Sequence, residues 1–107
     1  MTLNIRHRHV ELTEAITVYV QDKMDGLTRY ADMVRHIDVE VGKTTTHHKH
    51  GQVFLCRAII ELYDGRVLRI DRETTNLYKA IDKVRDHAKQ ELGEMHRLSV
   101  QHVGATA

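Results

Sequence analysis

The stretch "NLYKAIDKVRDHAKQELGEM", residues 76–95, carries the most regular pattern in this chain. Its apolar side chains follow one another at steps of four, three, four, four and three residues, which is the spacing of one face of an α-helix. These side chains belong to Leu77, Ile81, Val84, Ala88, Leu92 and Met95. Thr74 or Thr75 is expected to cap the helix at its N-terminus. The pattern predicts an amphipathic helix of about five turns whose apolar stripe needs a partner surface.

A second, shorter helix is predicted near the N-terminus. Thr13 is the candidate N-cap, and Glu14 places an acidic group in the first turn, where the helix dipole favours it. An apolar stripe follows at steps of four, four and three residues, formed by Ile16, Val20, Met24 and Leu27. The helix is expected to end near Tyr30, and Gly26 inside it costs about 1 kcal/mol relative to alanine.

Four segments alternate between apolar and polar residues, which is the period expected of half-buried strands. These segments cover residues 2–9, 34–41, 53–63 and 67–71. The dipeptide Asp64-Gly65, between the third and fourth segments, is a strong hairpin signal. The last three strands are therefore expected to form a meander.

The predicted order of elements is β-α-β-β-β-α. Two amphipathic helices must each bury one stripe, and one face of a mostly antiparallel sheet can receive both. The sequence thus predicts an α+β fold, a two-layer sandwich with two helices on one face of a four-stranded sheet. The other sheet face stays open to solvent or a partner. The helical spacing of apolar residues stops near residue 97. We therefore expect one domain over 1–97 and a flexible tail over 98–107.

Net charge, the absence of apolar runs and the cysteine count limit the classes of function that this chain can have. Sixteen basic residues against fifteen acidic ones give a net charge of +1, so bulk charge alone does not hold this protein to nucleic acid. The N-terminus lacks the apolar stretch of a secretory signal and no run is long enough to cross a membrane, so a cytoplasmic location without a membrane partner is expected. The single Cys56 excludes an intramolecular disulfide and a four-cysteine zinc site.

Several segments are familiar as a set. They are "LNIRHRHVELTEAI" at 3–16, "GLTRYADMV" at 26–34, "DGRVLR" at 64–69 and, above all, "NLYKAIDKV" at 76–84. In order and spacing they resemble the short ribosome hibernation-promoting factors, also called the ribosome-associated translation inhibitor family. The similarity spans about residues 1–97. The chain ends at Ala107 without the second domain of the long members, so it resembles a short form.

The resemblance implies both a fold and a function. The fold would be similar to double-stranded RNA-binding domains. The protein would dock in the cleft of the small ribosomal subunit where messenger and transfer RNA lie, silence translation, and protect idle ribosomes under stress or in stationary phase. Its partner would be ribosomal RNA and protein, with no catalysis, cofactor or small-molecule substrate.

The resemblance also implies which residues bind ribosomal RNA. Lysines and arginines on the exposed helix faces and adjoining strand ends would meet phosphates, which supply most of the affinity. The predicted rRNA-binding residues are Lys23, Lys79, Lys83, Arg85, Lys89, Arg97 and Arg69. The chain departs from the family at four positions that are often basic, which are His87, Gln90, Glu94 and Gly26. Arg85, Lys89 and Arg69 are candidates to compensate. Alternatively, these charges form an ordinary solvated helix face together with Asp86 and Glu91.

Other family-like residues are expected to be structural. Tyr78 would brace its helix against the sheet, and Asp82 would favour the first turns of that helix. His7 and His9 alternate with arginines on the face of Leu3 and are expected to be edge or core histidines with satisfied hydrogen bonds.

The histidine-rich segment "KTTTHHKHGQ", residues 43–52, connects the second and third predicted strands. No cysteine pair or HExxH motif completes a tetrahedral ligand set, so no metal site is predicted. Either the segment is a plain polar loop, or it is a hairpin tip that touches RNA. The candidate RNA-touching residues are Lys43, His47, His48, Lys49 and His50.

Two other functions compete with ribosome binding. The partly apolar open sheet face, with Val53, Leu55 and Ile59, could support self-association as a protein-interaction module. Histidines such as His36 could instead line a small hydrolytic or metal-dependent site. Against an enzyme, the chain has no Gly-rich phosphate loop, nucleophile elbow or paired-carboxylate pattern.

Overall fold

The elements follow one another in the predicted β-α-β-β-β-α order. The computed structural model describes residues 1–44 and 51–106. Its strands are β1 Thr2–Arg8, β2 Val34–Lys43, β3 Phe54–Leu62 and β4 Val67–Thr74. Its helices are α1 Glu14–Asp25, a single 3₁₀ turn Thr28–Tyr30, and α2 Leu77–Thr106. The predicted α+β class is confirmed.

The four strands form one sheet in the order β1-β2-β3-β4. β1 runs parallel to β2, which is possible because α1 provides the crossover between them. The two remaining pairings are antiparallel, with Ala58 of β3 opposite both Val39 of β2 and Ile70 of β4. Strands in this register turn their apolar alternate residues to the same face, and both helices cover that face.

The core lies between this sheet face and the two helices. The predicted stripes of α1 and α2 are buried, except that Met95 is only partly covered. The predicted inward face of β3 is also confirmed, with Cys56, Ala58, Ile60 and Leu62 buried and Phe54 packed at its margin. Ala80, which the spacing pattern did not include, is fully buried as well.

Both helix starts have side-chain caps, but only one was predicted correctly. The Thr13 hydroxyl accepts a hydrogen bond from the Ile16 amide at 3.2 Å, as expected. α2 is capped by Asn76, whose Oδ1 accepts from the amides of Tyr78 at 2.9 Å and Lys79 at 3.3 Å. The prediction of Thr74 or Thr75 was wrong because the helix begins at Leu77, immediately after Asn76. The Thr74 hydroxyl instead accepts from the Asn76 amide at 2.9 Å.

The predicted continuation of the first helix to Tyr30 was also wrong. α1 ends at Asp25, and the Gly26 amide donates to the Lys23 carbonyl at 3.1 Å. The following 3₁₀ turn brings Tyr30 into the core. A Cβ on Gly93 would lie 3.0 Å from the Tyr30 hydroxyl, so glycine in α2 permits this close approach.

The C-terminal segment is helical over most of its length. α2 continues through Thr106, well past the predicted domain end at residue 97. Helical backbone therefore covers most of the predicted 98–107 tail, and the flexibility of that tail stays a prediction. Among the described residues, no helix combines the length and the apolar character needed to cross a membrane.

The thiol of Cys56 provides a test of core packing. Cys56 lies fully buried on β3, and this burial raises its pKa to about 12. Since the thiolate is the reactive form, we expect no reaction with a disulfide reagent at about pH 8 in the native protein and complete reaction in guanidinium chloride. Rapid modification of native protein would contradict the described packing of β3 under α2.

Candidate nucleic-acid interface

The outward sides of α1 and α2 form one continuous surface that carries most of the predicted RNA-binding residues. We call this the basic helix surface, and it comprises Lys23 on α1 with Lys79, Lys83, Arg85, Lys89 and Arg97 on α2. With 3.6 residues per turn, Lys79 and Lys83 point away from the core, while Arg85 and Lys89 lie on the side toward α1. The structure therefore brings these six predicted residues together.

A cluster of four side chains joins the two helices beneath this surface. The Tyr19 hydroxyl donates to Asp82 Oδ1 at 2.6 Å, and Lys23 Nζ lies 3.4 Å from the same oxygen. The rings of Tyr19 and Tyr78 meet edge to face with their centroids 4.8 Å apart. Lys23 Nζ also lies 5.2 Å from the centre of the Tyr19 ring. We call Tyr19, Lys23, Tyr78 and Asp82 the inter-helix cluster.

This cluster corrects two expectations about the family-like motif. Tyr78 braces α2 against α1 rather than against the sheet, because its position on the helix faces the neighbouring helix. Asp82 is structural as predicted, but it acts through Tyr19 and Lys23 of the other helix and not only through its place in an early turn. Spacing along α2 does not reveal which neighbour those side chains meet.

The cations of the basic helix surface fall into two groups. Three already have a carboxylate partner: Lys23 with Asp82, Arg85 with Asp86 at 2.7 Å, and Arg97 with Glu94 at 2.5 Å. Lys79, Lys83 and Lys89 are exposed and have no carboxylate within 4.0 Å among the described residues. Exposed pairs contribute little to stability, so even the paired cations can exchange partners. The three unpaired lysines can meet an incoming phosphate without losing an ion pair.

Gly26 and Arg85 lie next to each other where the two helices meet. A Cβ on Gly26 would be 3.6 Å from Arg85 Nη1, so the guanidinium extends past the end of α1. The resemblance places a common lysine at position 26. Arg85 thus presents a cation beside that position, in agreement with the idea that it compensates for the glycine.

Arg69 is the predicted RNA-binding residue that the structure separates from the others. It lies opposite Ile59 on the open face of the sheet, whereas the helices cover the other face. The alternation of β4, in which Leu68 and Ile70 point to the core, already indicated this placement. Arg69 therefore lies apart from the helix residues, and its role in rRNA binding stays a prediction.

The open sheet face carries a chain of ion pairs that crosses all four strands. Arg6 Nε lies 2.9 Å from Asp38 Oδ1, and Arg6 Nη1 lies 3.2 Å from Glu40 Oε2. Arg57 Nη1 lies 3.9 Å from Glu40 Oε1, and Arg57 Nε lies 2.6 Å from Asp71 Oδ1. Glu40, at the centre, is only 6% exposed. We call these five residues the charged ladder.

The charged ladder bears on the alternative of apolar self-association. Leu55 and Ile59 share this face, but both are partly buried among the charged side chains. Val53 precedes β3 and is not part of the sheet. Among the described residues, the charged ladder thus shares this face with Leu55 and Ile59, and self-association stays a prediction.

The histidines of the described residues are dispersed rather than gathered into a site. His47, His48, Lys49 and His50 lie outside the described residues, so their proposed RNA contact stays a prediction, while Lys43 ends β2. Within 1–44 and 51–106, no group of three or more potential ligands is arranged to hold a metal ion.

The N-terminal histidines lie at the edge of the sheet. His7 and His9 are both exposed, so neither is a core residue. His7 Nδ1 lies 2.9 Å from the Val10 carbonyl oxygen, which gives it a satisfied edge position. His9 follows β1 with a positive φ of 60° and forms part of the bend that leads to α1.

Two basic residues near the helices were missed by the sequence reasoning. Arg29 lies with its guanidinium carbon 5.3 Å from the centre of the Tyr30 ring. Arg72 of β4 contacts α2, with its Nη2 2.8 Å from His87 Nδ1. The alternation of β4 places Arg72 on the helix-covered side, which would have been a usable signal for a contact with α2.

Comparison with known proteins adds to this geometry. The model of the family described as Sigma 54 modulation protein / S30EA ribosomal protein matches residues 3–97. The chain belongs to this family. The resemblance inferred from the sequence is thereby confirmed, and the family is one of ribosome-associated modulation proteins.

Solved structures share the fold of this S30EA family member. A ribosomal subunit interface protein from Coxiella burnetii matches with a TM-score of 0.76 at 14% identity, over 91% of this chain and 99% of that one. The N-terminal domain of Protein Y from Thermus thermophilus matches with a TM-score of 0.70 at 25% identity, over 89% and 99% of the two chains. The first likeness concerns the fold alone.

The inter-helix cluster of this S30EA protein is open to a direct test. The hydrogen bond to Asp82 raises the pKa of Tyr19 to about 12. Its stabilisation is therefore complete below the unfolded value of about 10 and is lost as the pH rises through the folded value. We expect Tyr19→Phe to lower the free energy of unfolding by about 1–2 kcal/mol near neutral pH, measured by denaturant titration, and to remove a tyrosine ionisation near pH 12.

Tyr63→Phe is the matched control for that variant. Tyr63 is 61% exposed, and its hydroxyl makes no hydrogen bond among the described residues. This change should leave the unfolding free energy within about 0.5 kcal/mol of the parent protein. Equal effects of the two substitutions would contradict a stabilising role for the Tyr19–Asp82 hydrogen bond.

Proposed function

We propose that this protein binds the small ribosomal subunit through its basic helix surface, in the cleft where messenger and transfer RNA lie. Occupation of that cleft silences translation and protects idle ribosomes under stress. The observation that carries the proposal is the group of exposed lysines on α2, Lys79, Lys83 and Lys89, which have no carboxylate partner among the described residues. Family membership supports it.

The arrangement suits recognition of a folded RNA by its shape. Lys79 and Lys83 lie one turn apart, about 6 Å along α2, and Lys89 continues the row toward α1. Phosphate contacts of this kind supply affinity without reading sequence and need no aromatic platform. The overall charge of +1 is compatible with such binding, because Lys79, Lys83 and Lys89 lie on one helix without carboxylate partners among the described residues.

Silencing by this route requires no chemistry. A folded domain that occupies the cleft excludes messenger and transfer RNA by volume alone, so the proposal needs no catalytic group, cofactor or small-molecule substrate. A cytoplasmic location follows from the proposed ribosome binding. The 43–52 segment, with Lys43, Lys49 and its three histidines, is proposed as an additional RNA contact at one end of the sheet.

Charge reversal on α2 tests the proposal. We expect the parent protein to co-sediment saturably with small subunits, and its binding to weaken as salt increases. The pair Lys79→Glu and Lys83→Glu should bind much more weakly, with a salt dependence reduced by about one unit of slope for each lost phosphate contact. The same pair should also fail to inhibit cell-free translation.

The matched control reverses two arginines away from the basic helix surface. Arg35 pairs with Glu61 on the sheet and Arg66 pairs with Asp64 in the hairpin turn, and both are exposed. Arg35→Glu with Arg66→Glu changes the net charge by the same amount but should retain binding. Absence of parent binding at low salt would overturn the proposal, and equal losses in both variants would reduce it to a bulk charge effect.

A further inference from the structure

A groove runs between β4 and α2, along the margin of the basic helix surface. His87 lies in it, about one-third exposed, with a side-chain accessibility of 33%. The charged groups around His87 come from both elements and are Asp71, Arg72, Glu73, Lys83, Asp86 and Glu91. The groove thus places a histidine between cations and carboxylates beside one of the unpaired lysines.

The contact between Arg72 and His87 is compatible with only one form of the imidazole ring. Arg72 Nη2 lies 2.8 Å from His87 Nδ1. A guanidinium can only donate hydrogen bonds, so Nδ1 must accept with its lone pair. The contact therefore requires a neutral ring with its proton on Nε2, and Nε2 faces Glu91 Oε1 at 3.4 Å.

Protonation of His87 is incompatible with that contact. A second N–H at Nδ1 would point at the Arg72 guanidinium, and two donors carrying positive charge would repel each other. Glu91, on the Nε2 side, would stabilise the charged ring where it is. Arg72 is exposed and would move away from the ring.

Few carboxylates near Arg72 are available to form a new ion pair with it. Asp71 pairs with Arg57 at 2.6 Å and Asp86 pairs with Arg85 at 2.7 Å. Glu73 is the next residue on β4, so its side chain starts from the opposite face of the strand. Lys83 lines the same groove, so a free Arg72 would extend the positive surface of α2 toward β4.

We propose that Arg72 is a further phosphate-binding residue, which neutral His87 holds and protonated His87 releases, so that RNA binding tightens as the pH falls. The inference rests on the proposed ribosome-binding function and adds a regulated contact to it. The positive charge at this margin then depends on pH.

Binding of the small subunit at constant ionic strength tests the regulated contact. At about pH 6 compared with about pH 8, on either side of the histidine range, the parent protein should bind several-fold more tightly. Its salt dependence should steepen by about 0.7–0.9 for each added contact. His87→Gln should not show this additional gain on acidification, and Arg72→Gln should lose most of it. His87→Lys should show the steeper salt dependence at both pH values.

The matched control is His96→Gln. His96 is another exposed histidine of α2, and it packs near Tyr30 with ring centroids 6.0 Å apart, away from the groove. This variant should keep the parent's response to pH, since the remaining histidines contribute equally in every variant. A full pH response in His87→Gln, or an equal loss in His96→Gln, would overturn the proposal.

NMR of the free protein separates this inference from the proposed function. At about pH 8, two-bond nitrogen–proton spectra should show His87 with its proton on Nε2, and acidification should change the Arg72 guanidinium signals together with those of the ring. A proton on Nδ1 would overturn the inference whatever the binding result. Absence of parent binding at every pH would instead overturn the proposed function, and with it the RNA-binding role of Arg72.

Discussion

The hydrogen bond from Tyr19 to Asp82 ties the two helices to each other, and the shape of the basic helix surface depends on how they lie. Within the described residues, the hydrogen bonds and ion pairs between α1 and α2 all converge on Asp82. The apolar stripes hold each helix to the sheet by burial, which is non-directional in itself. The bond of 2.6 Å and the edge-to-face contact of Tyr19 with Tyr78 add directional contacts between the helices.

The distribution of ion pairs explains how a nearly neutral protein can present a basic surface. On the open sheet face, the charged ladder brings two arginines together with three carboxylates, so that face gains little positive potential. On α2, in contrast, three exposed lysines lack such partners among the described residues. The net charge of the whole chain sums the charges of both faces, so it does not show that unpaired cations lie on one of them. The proposed RNA binding therefore depends on where the cations lie and how they are paired rather than on the net charge.

Much of the fold followed from the sequence because each element has a clear period. The steps from Leu77 to Met95 and the alternation of β2 and β3 identified their buried faces, and Asp64-Gly65 identified the hairpin. The site was less predictable, since periodicity gives the side of an element on which a residue lies but not the neighbour it meets. Tyr78 was therefore assigned to the sheet instead of to Tyr19, and the contact of Arg72 with His87 went unnoticed. The placement of Arg69 was predictable, in contrast, because its alternation with Leu68 and Ile70 assigns it to the open face of the sheet. It was grouped with the helix residues on the basis of the family resemblance.

The pair formed by Gly26 and Arg85 shows how one helix can place a cation at the end of the other. A side chain at position 26 would start 3.1 Å from the Lys23 carbonyl oxygen and 3.6 Å from Arg85 Nη1. A lysine there would crowd the guanidinium and place a like charge beside it, so the two cations would compete for one region. With glycine at 26, Arg85 can extend past the end of α1 and supply a cation from the neighbouring helix. The charge at this point thus belongs to the surface that α1 and α2 build together, and either helix can supply it.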